Sequence, residues 1–167
     1  MKRYAFSLVE LILVVAILGI LAAIVLPTYQ SHAATARQSA AKDSLRIMRT
    51  QIELYKLEHN GTQPGYANGN PIAEATMQLQ FTGTTTVTGL ASPSTVPSDP
   101  YLYGPYVKML PENPFNNLST ITYGLEATAF ADAVDGTSSG WLYKKETAEI
   151  RLNWTGADSD GVNYYDY

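Results

Sequence analysis

A run of apolar residues dominates the start of the chain and follows a short basic segment. Lys2 and Arg3 come first, and over residues 6–26 the only charged residue is Glu10. The run has roughly the 20 residues that an α-helix needs to cross ~30 Å of hydrocarbon. It shows no polar face, which indicates lipid or the core of a bundle as its surroundings. The pattern therefore predicts a membrane-spanning helix with a cytoplasmic N-terminus.

Glu10 separates this segment from an ordinary membrane anchor. A carboxylate within a membrane helix costs roughly 2.5 kcal/mol or more on insertion scales. We therefore expect another group to pair with Glu10 and the helix to assemble with others. Three other interpretations stay open: a secretory signal cleaved near residues 34–36, a plain anchor, and a Glu10 that lies at headgroup depth.

A second apolar pattern follows the membrane segment. Apolar residues recur at intervals of three and four, which is the spacing of one helix face that packs on a core. The residues of this face are Ala41, Leu45, Met48, Ile52 and Tyr55. The pair Asn60-Gly61 then gives a stop signal. We expect a helix over residues 7–59, ~80 Å long by its rise per residue, with weak points at Pro27 and Gly19.

The rest of the chain predicts a small head domain. Residues 61–100 are rich in Gly, Thr, Ser, Pro and Asn; within them we expect a short helix over 71–80, a strand over 82–90 and a loop over 91–100. Residues 120–125, 141–143 and 149–154 read as strands, the last two as a hairpin. In the second hairpin strand Ile150, Leu152 and Trp154 share one face, and Glu149, Arg151 and Asn153 take the other.

Composition excludes several function classes. The 167 residues carry a net charge of −4, which gives no indication of nucleic-acid binding. There is no cysteine for a disulfide or a nucleophile. The sequence holds no metalloprotease, serine-hydrolase or phosphate-loop motif, so we expect a protein that is not an enzyme.

The residues around the first helix start carry a family resemblance. Ala5-Phe6-Ser7-Leu8-Val9-Glu10 resembles the N-terminal signal of type IV pilins and type II secretion pseudopilins. The resemblance implies that prepilin peptidase cleaves after Ala5 and that the new amine of Phe6 is methylated. It also implies that three residues act in assembly: Phe6, Pro27 and Glu10, which is fifth in the mature chain. The family usually has Gly where this chain has Ala5.

A second segment favours the major pseudopilin group. Residues 104–117, which begin Gly-Pro-Tyr and continue into a proline-bounded loop, are similar to a segment of those proteins. The resemblance implies an α+β pilin-like fold, with a long N-terminal helix packed on a small C-terminal antiparallel sheet. The expected divisions are a leader (1–5), a transmembrane and assembly helix (6–27), its amphipathic continuation (28–60) and a globular head (61–167).

An acidic loop near the end of the chain is a candidate calcium site. Asp158 and Asp160 flank a Ser beside Gly161, and Asp166 follows; hard cations favour such oxygen-rich turns. The major pseudopilins bind calcium in a loop of similar character. A solvated acidic turn is the alternative, and it is the favoured interpretation of a second pair, Asp132 and Asp135.

Aromatic residues crowd the C-terminal region, and sheet packing is their expected role. A binding surface or a stacked array along a filament is the alternative. The aromatic residues are Tyr101, Tyr103, Tyr106, Tyr123, Trp141, Tyr143, Trp154, Tyr164, Tyr165 and Tyr167.

Together these features predict a structural subunit of a type II secretion pseudopilus. Its expected partners are copies of itself in a helical filament, prepilin peptidase, inner-membrane secretion or pilus machinery, minor pseudopilins and membrane lipid. It would sit in the inner membrane with its head in the periplasm. A type IV pilus subunit and a membrane-tethered carbohydrate- or peptide-binding module remain as alternatives.

Overall fold

A computed structural model describes residues 7–124 and 127–167, apart from the side chains of residues 26–31. The chain divides into two compact units, Met1–Arg37 and Gln38–Tyr167. The helices are α1 (Leu8–Glu58), α2 (Glu74–Thr82) and α3 (Phe130–Ala133), with a 3-10 turn at Tyr164–Asp166. The strands are β1 (Tyr66–Ala67), β2 (Asn70–Pro71), β3 (Thr84–Thr85), β4 (Ala91–Ser92), β5 (Ile121–Tyr123), β6 (Trp141–Lys144) and β7 (Glu149–Leu152).

The predicted long helix is confirmed, and its second half forms one wall of the core. All five residues of the predicted apolar face are at most 1% exposed. The stop signal acts through backbone conformation: Asn60 and Gly61 have φ values of 54° and 84°. The Gly61 N–H donates to the Lys56 carbonyl at 2.8 Å, which satisfies one of the orphan carbonyls at the helix end.

The C-terminal hairpin is confirmed, and a third strand joins it. β6 and β7 pair antiparallel, with Trp141 opposite Leu152. β5 lies beside β6 in parallel, with Ile121 opposite Trp141, because a connection longer than a dozen residues separates them and allows a crossover. The α+β class is therefore confirmed, with one parallel pair in the sheet. The two short ribbons, β1–β2 and β3–β4, are antiparallel.

The expectations for the middle of the chain are only partly correct. The short helix is confirmed as α2, whereas the strand over 82–90 is limited to β3. The chain turns after Thr85: the Gly89 N–H donates to the Thr86 carbonyl at 2.9 Å, and Gly89 has a φ of 85°. The turn brings β4 back beside β3, so the predicted loop over 91–100 begins with a strand.

The predicted alternation along β7 holds only as far as Leu152. Ile150 and Leu152 are buried, as expected, but Asn153 is fully buried as well, and Trp154 is half-buried. The placement of Asn153 on the outer face was therefore wrong. The strand ends at Leu152, so the two-residue period no longer decides which side chain points inward.

The head has one main hydrophobic core. It lies between the buried face of α1, the α2 residues Met77 and Phe81, and the three-stranded sheet. Residues 104–119 form hydrogen bonds with both α2 and the three-stranded sheet. The Tyr106 and Val107 N–H groups both donate to the Phe81 carbonyl, and Trp141 Nε1–H donates to the Pro111 carbonyl at 2.8 Å.

Candidate functional site

The start of α1 carries the candidate assembly residues. Ala5 and Phe6 lie outside the described residues. Ser7 precedes the helix, and Glu10 is its third residue. The Ser7 N–H donates to Glu10 Oε2 at 3.4 Å, which is the backbone half of a capping box. Sequence reasoning missed this second role of Glu10, although the spacing Ser-x-x-Glu indicates it.

The first part of α1 is an apolar surface without cover from its own chain. Over Leu8–Val25 the mean hydropathy is 3.1 and none of the window is buried. Its large apolar side chains are 49% to 74% exposed. Each such side chain gains roughly 1.5–3 kcal/mol when it leaves water, so this surface needs lipid or other helices. Within the described residues, it is the one stretch that could cross a membrane by length and composition.

Pro27 lies within the helical backbone of α1. Proline has no N–H to donate, so the ladder of helical hydrogen bonds loses one member there. The expected part of Pro27 in assembly is not tested by this structure and stays a prediction.

Asp158 is a centre of hydrogen bonding rather than an open carboxylate. Its Oδ1 accepts from the N–H groups of Asp160 and Val162, each at 2.9 Å. Its Oδ2 accepts from Gln38 Nε2 at 2.9 Å and from the Tyr167 hydroxyl at 2.7 Å. The Tyr167 hydrogen bond is the main cause that lowers the pKa of Asp158. Burial, followed by the bond to Asp158, raises the pKa of Tyr167 to about 12.

Among the described residues, the three predicted calcium ligands do not form one cluster. Asp166 accepts from Asn163 Nδ2 at 3.1 Å, and Asp160 is exposed. Within residues 7–124 and 127–167, no three acidic, His or Cys side chains lie close enough together to hold a metal ion. The arrangement therefore does not fit a calcium site as it stands, while calcium binding itself stays an untested prediction.

Tyr167 is also held by basic residues. Arg49 and Arg151 both donate to the Tyr167 carbonyl oxygen. Lys42 Nζ lies 4.2 Å from the centre of the Tyr167 ring, a cation–π distance. Burial and the nearby charge of Arg151 lower the pKa of Arg49.

Asp135, one member of the second acidic pair, closes a turn. Asp135 Oδ1 accepts from the N–H groups of Thr137 and Ser138 and from Asn153 Nδ2. These hydrogen bonds hold the pKa of Asp135 well below its usual range. Asp135 is exposed, so the favoured interpretation of an acidic turn is consistent with the structure. The buried partner, Asn153, was not foreseen.

The aromatic residues mostly serve packing, as predicted. Trp141 and Tyr143 are fully buried and Tyr106 is 8% exposed. The rings of Tyr55 and His59 stack with centroids 3.7 Å apart. His59 Nδ1 lies 2.8 Å from the Tyr55 carbonyl oxygen; a carbonyl only accepts, so Nδ1 carries the proton. Burial lowers the pKa of His59.

Comparisons with known proteins agree with this site. Residues 1–26 match the family described as the prokaryotic N-terminal methylation motif. The chain is 28% identical to type II secretion system core protein G of Vibrio cholerae over 99% of this chain and 96% of that protein. It is 33% identical to core protein G of Pseudomonas aeruginosa over 70% of each.

A fimbrial relative matches about half of the chain. Fimbrial protein EcpB of Eikenella corrodens is 37% identical over 49% of this chain. The chain spans about half the length of two relatives: 51% of EcpB and 49% of the prepilin peptidase-dependent protein D of Escherichia coli. No solved structure matches. The chain carries the methylation motif, an uncovered apolar helix and a head that aligns with core protein G. It therefore belongs to the family of type IV pilins and type II secretion pseudopilins.

Proposed function

We propose that the protein is a structural subunit of a type II secretion pseudopilus and polymerises through its N-terminal helix. The observation that carries the proposal is the uncovered apolar surface of Leu8–Val25, in a chain that aligns with core protein G over nearly its whole length. The family consists of structural subunits, so the activity is assembly rather than catalysis.

Assembly works by exchanging one apolar environment for another. The membrane stores the subunits with the helix in lipid, and the helix then enters the core of a filament formed by other copies. Apolar surface stays out of water in both states, so the hydrophobic effect opposes neither. Direction and spacing must therefore come from polar groups, and Glu10 is the charged residue of the segment.

Among the described residues, Glu10 accepts one hydrogen bond, so its carboxylate can also accept from a neighbour. Its Oε2 accepts from Ser7 of the same chain, while no hydrogen bond to Oε1 occurs among the described residues. Cleavage after Ala5 would free the amine of Phe6, and that amine would pair with Glu10 of an adjacent copy. An ion pair away from water gains little overall because desolvation opposes it. An unpaired Glu10 costs more, so the pair selects the axial register.

The remaining partners and the location follow from the same proposal. Prepilin peptidase removes residues 1–5, and inner-membrane machinery assembles the subunits together with minor pseudopilins. Before cleavage, Lys2 and Arg3 orient the N-terminus toward the cytoplasm, and the head lies in the periplasm.

The second candidate is a type IV pilus subunit. It is favoured by the fimbrial proteins that are similar to part of the chain, over 49% and 40% of its length. A carbohydrate- or peptide-binding module is less favoured, because Trp141 and Tyr143 are buried in the core and Phe115, Trp154 and Tyr164 stack on one another.

The experiment compares three variants in a host that carries the assembly machinery. Glu10→Gln removes the charge but keeps an acceptor for the cap, Glu10→Leu removes both, and Glu112→Leu is a matched control at an exposed position. We expect all three proteins in the membrane fraction at the wild-type level. Filaments sheared from the cells should be lost from both Glu10 variants and retained by Glu112→Leu.

Two outcomes would count against this account. Wild-type filament yield from Glu10→Gln would show that Glu10 acts as a helix cap and not as an ion-pair partner. Absence of filaments from the wild-type chain would reject assembly itself.

A further inference from the structure

The last residues of the chain, 155–167, are tied to α1 by a small polar cluster. We name Gln38, Asp158 and Tyr167 the terminal clasp. We propose that the terminal clasp holds this segment without a bound cation and so replaces the calcium ion that the acidic loop would otherwise bind.

The acceptor positions of Asp158 are occupied. Each of its two oxygens accepts two hydrogen bonds, Oδ1 from the loop and Oδ2 from Gln38 and Tyr167. Calcium takes six to eight oxygen ligands, so Asp158 would have to give up these donors to bind it. Asp166 lies in the 3-10 turn and accepts from Asn163 instead.

Three residues of α1 contact Tyr167. Gln38 Nε2 donates to the Tyr167 hydroxyl at 2.7 Å, Lys42 lies over its ring, and Arg49 donates to its backbone oxygen. Gln38, Lys42 and Arg49 are spaced by about one and two helical turns, so they share one side of α1. Arg151 completes the contact from β7.

The loop over residues 155–162, which precedes the 3-10 turn, has little support from covalent bonds or apolar burial. The chain has no cysteine, so no disulfide fastens its end. Residues 155–157 and 159–162 are exposed, so this loop contributes little apolar burial. With the clasp, the head keeps its end packed at any calcium concentration.

The test measures hydrogen exchange of the full chain in detergent micelles, in calcium and in chelator. The informative peptide covers residues 155–167, where the N–H groups of Asp160 and Val162 bond to Asp158. A peptide over residues 141–152 reports on the sheet and detects global unfolding. The variants are Gln38→Leu and Tyr167→Phe, which remove clasp donors, and Asp160→Asn, which removes a predicted calcium ligand outside the clasp.

The wild-type terminal peptide should exchange at the same rate, within about twofold, in both buffers. Gln38→Leu and Tyr167→Phe should each speed its exchange by about tenfold or more, as expected for a lost hydrogen bond, while residues 141–152 stay unchanged. Asp160→Asn should behave as wild type. Marked slowing by calcium in the wild type would overturn the proposal, as would unchanged exchange in both clasp variants.

Discussion

Replacing Gln80 with Leu should destabilise the head far more than its size suggests. Gln80 is fully buried on α2. Its Oε1 accepts from the Gly65 N–H at 2.8 Å, and its Nε2 donates to the Tyr66 and Gly89 carbonyls at 2.9 and 2.7 Å. One side chain thus satisfies backbone groups of two separate loops. Leu has a similar size but offers none of these hydrogen bonds.

The loss of stability in Gln80→Leu follows from the three backbone groups that lose their hydrogen-bond partner. Each buried backbone group without a hydrogen bond costs about 1–3 kcal/mol. Partial relaxation of the loops and the apolar gain from Leu reduce the sum, so we expect a loss of about 3 kcal/mol. For a head of this size, roughly 4 °C of melting temperature is lost per kcal/mol, which gives a fall of roughly 12 °C.

The assay is thermal unfolding of the full chain in detergent, followed by near-UV circular dichroism of the buried Trp141. Gln78→Leu is the matched control: it is the same substitution on the same helix. The Gln78 side chain is half-buried and, among the described residues, donates one hydrogen bond, at 3.3 Å, to the Ile121 carbonyl. Equal melting temperatures for the two variants would refute the argument that Gln80 joins the loops.

Three further predictions concern the head and the processing site. The free energy of unfolding should fall as the pH is lowered from 7 to 5, because burial lowers the pKa of His59 in the folded head and the unfolded chain then binds the proton more readily. Denaturant titrations should show this fall in the wild type and not in His59→Gln. Gly140→Ala should destabilise the head by about 3 kcal/mol or more, since an added Cβ would lie 2.0 Å from the Leu118 carbonyl oxygen; an unchanged denaturation midpoint would contradict this close contact. Intact-mass measurement of membrane-extracted protein should give a chain that begins at methylated Phe6, and a chain that begins at Met1 would count against cleavage.

Periodic features could be predicted from the sequence because they depend on neighbours along the chain. The apolar face of α1 follows from its spacing of three and four, and all its members are buried. The hairpin of β6 and β7 follows from alternation around a short turn. Residues 82–90 have strand propensity, but the chain turns near Gly89. The predicted strand was therefore longer than the observed one.

Features that depend on distant partners could not be predicted in the same way. Asp158 and Gln38 are 120 positions apart, and no local pattern indicates that they meet. The parallel position of β5 likewise depends on how the chain crosses the sheet. Gln80 and His59 look like ordinary polar helix residues in the sequence, and only the loops packed against them give them their roles.

Deleting each assembly machinery tests most directly whether the chain is a secretion pseudopilus subunit. The chain should be expressed in a bacterial host that carries both a type II secretion system and a type IV pilus system, with each assembly machinery deleted in turn. Surface filaments labelled with an antibody to the head should disappear when the secretion machinery is lost and persist when the pilus machinery is lost. The reverse dependence would contradict the secretion assignment and identify the chain as a pilus subunit.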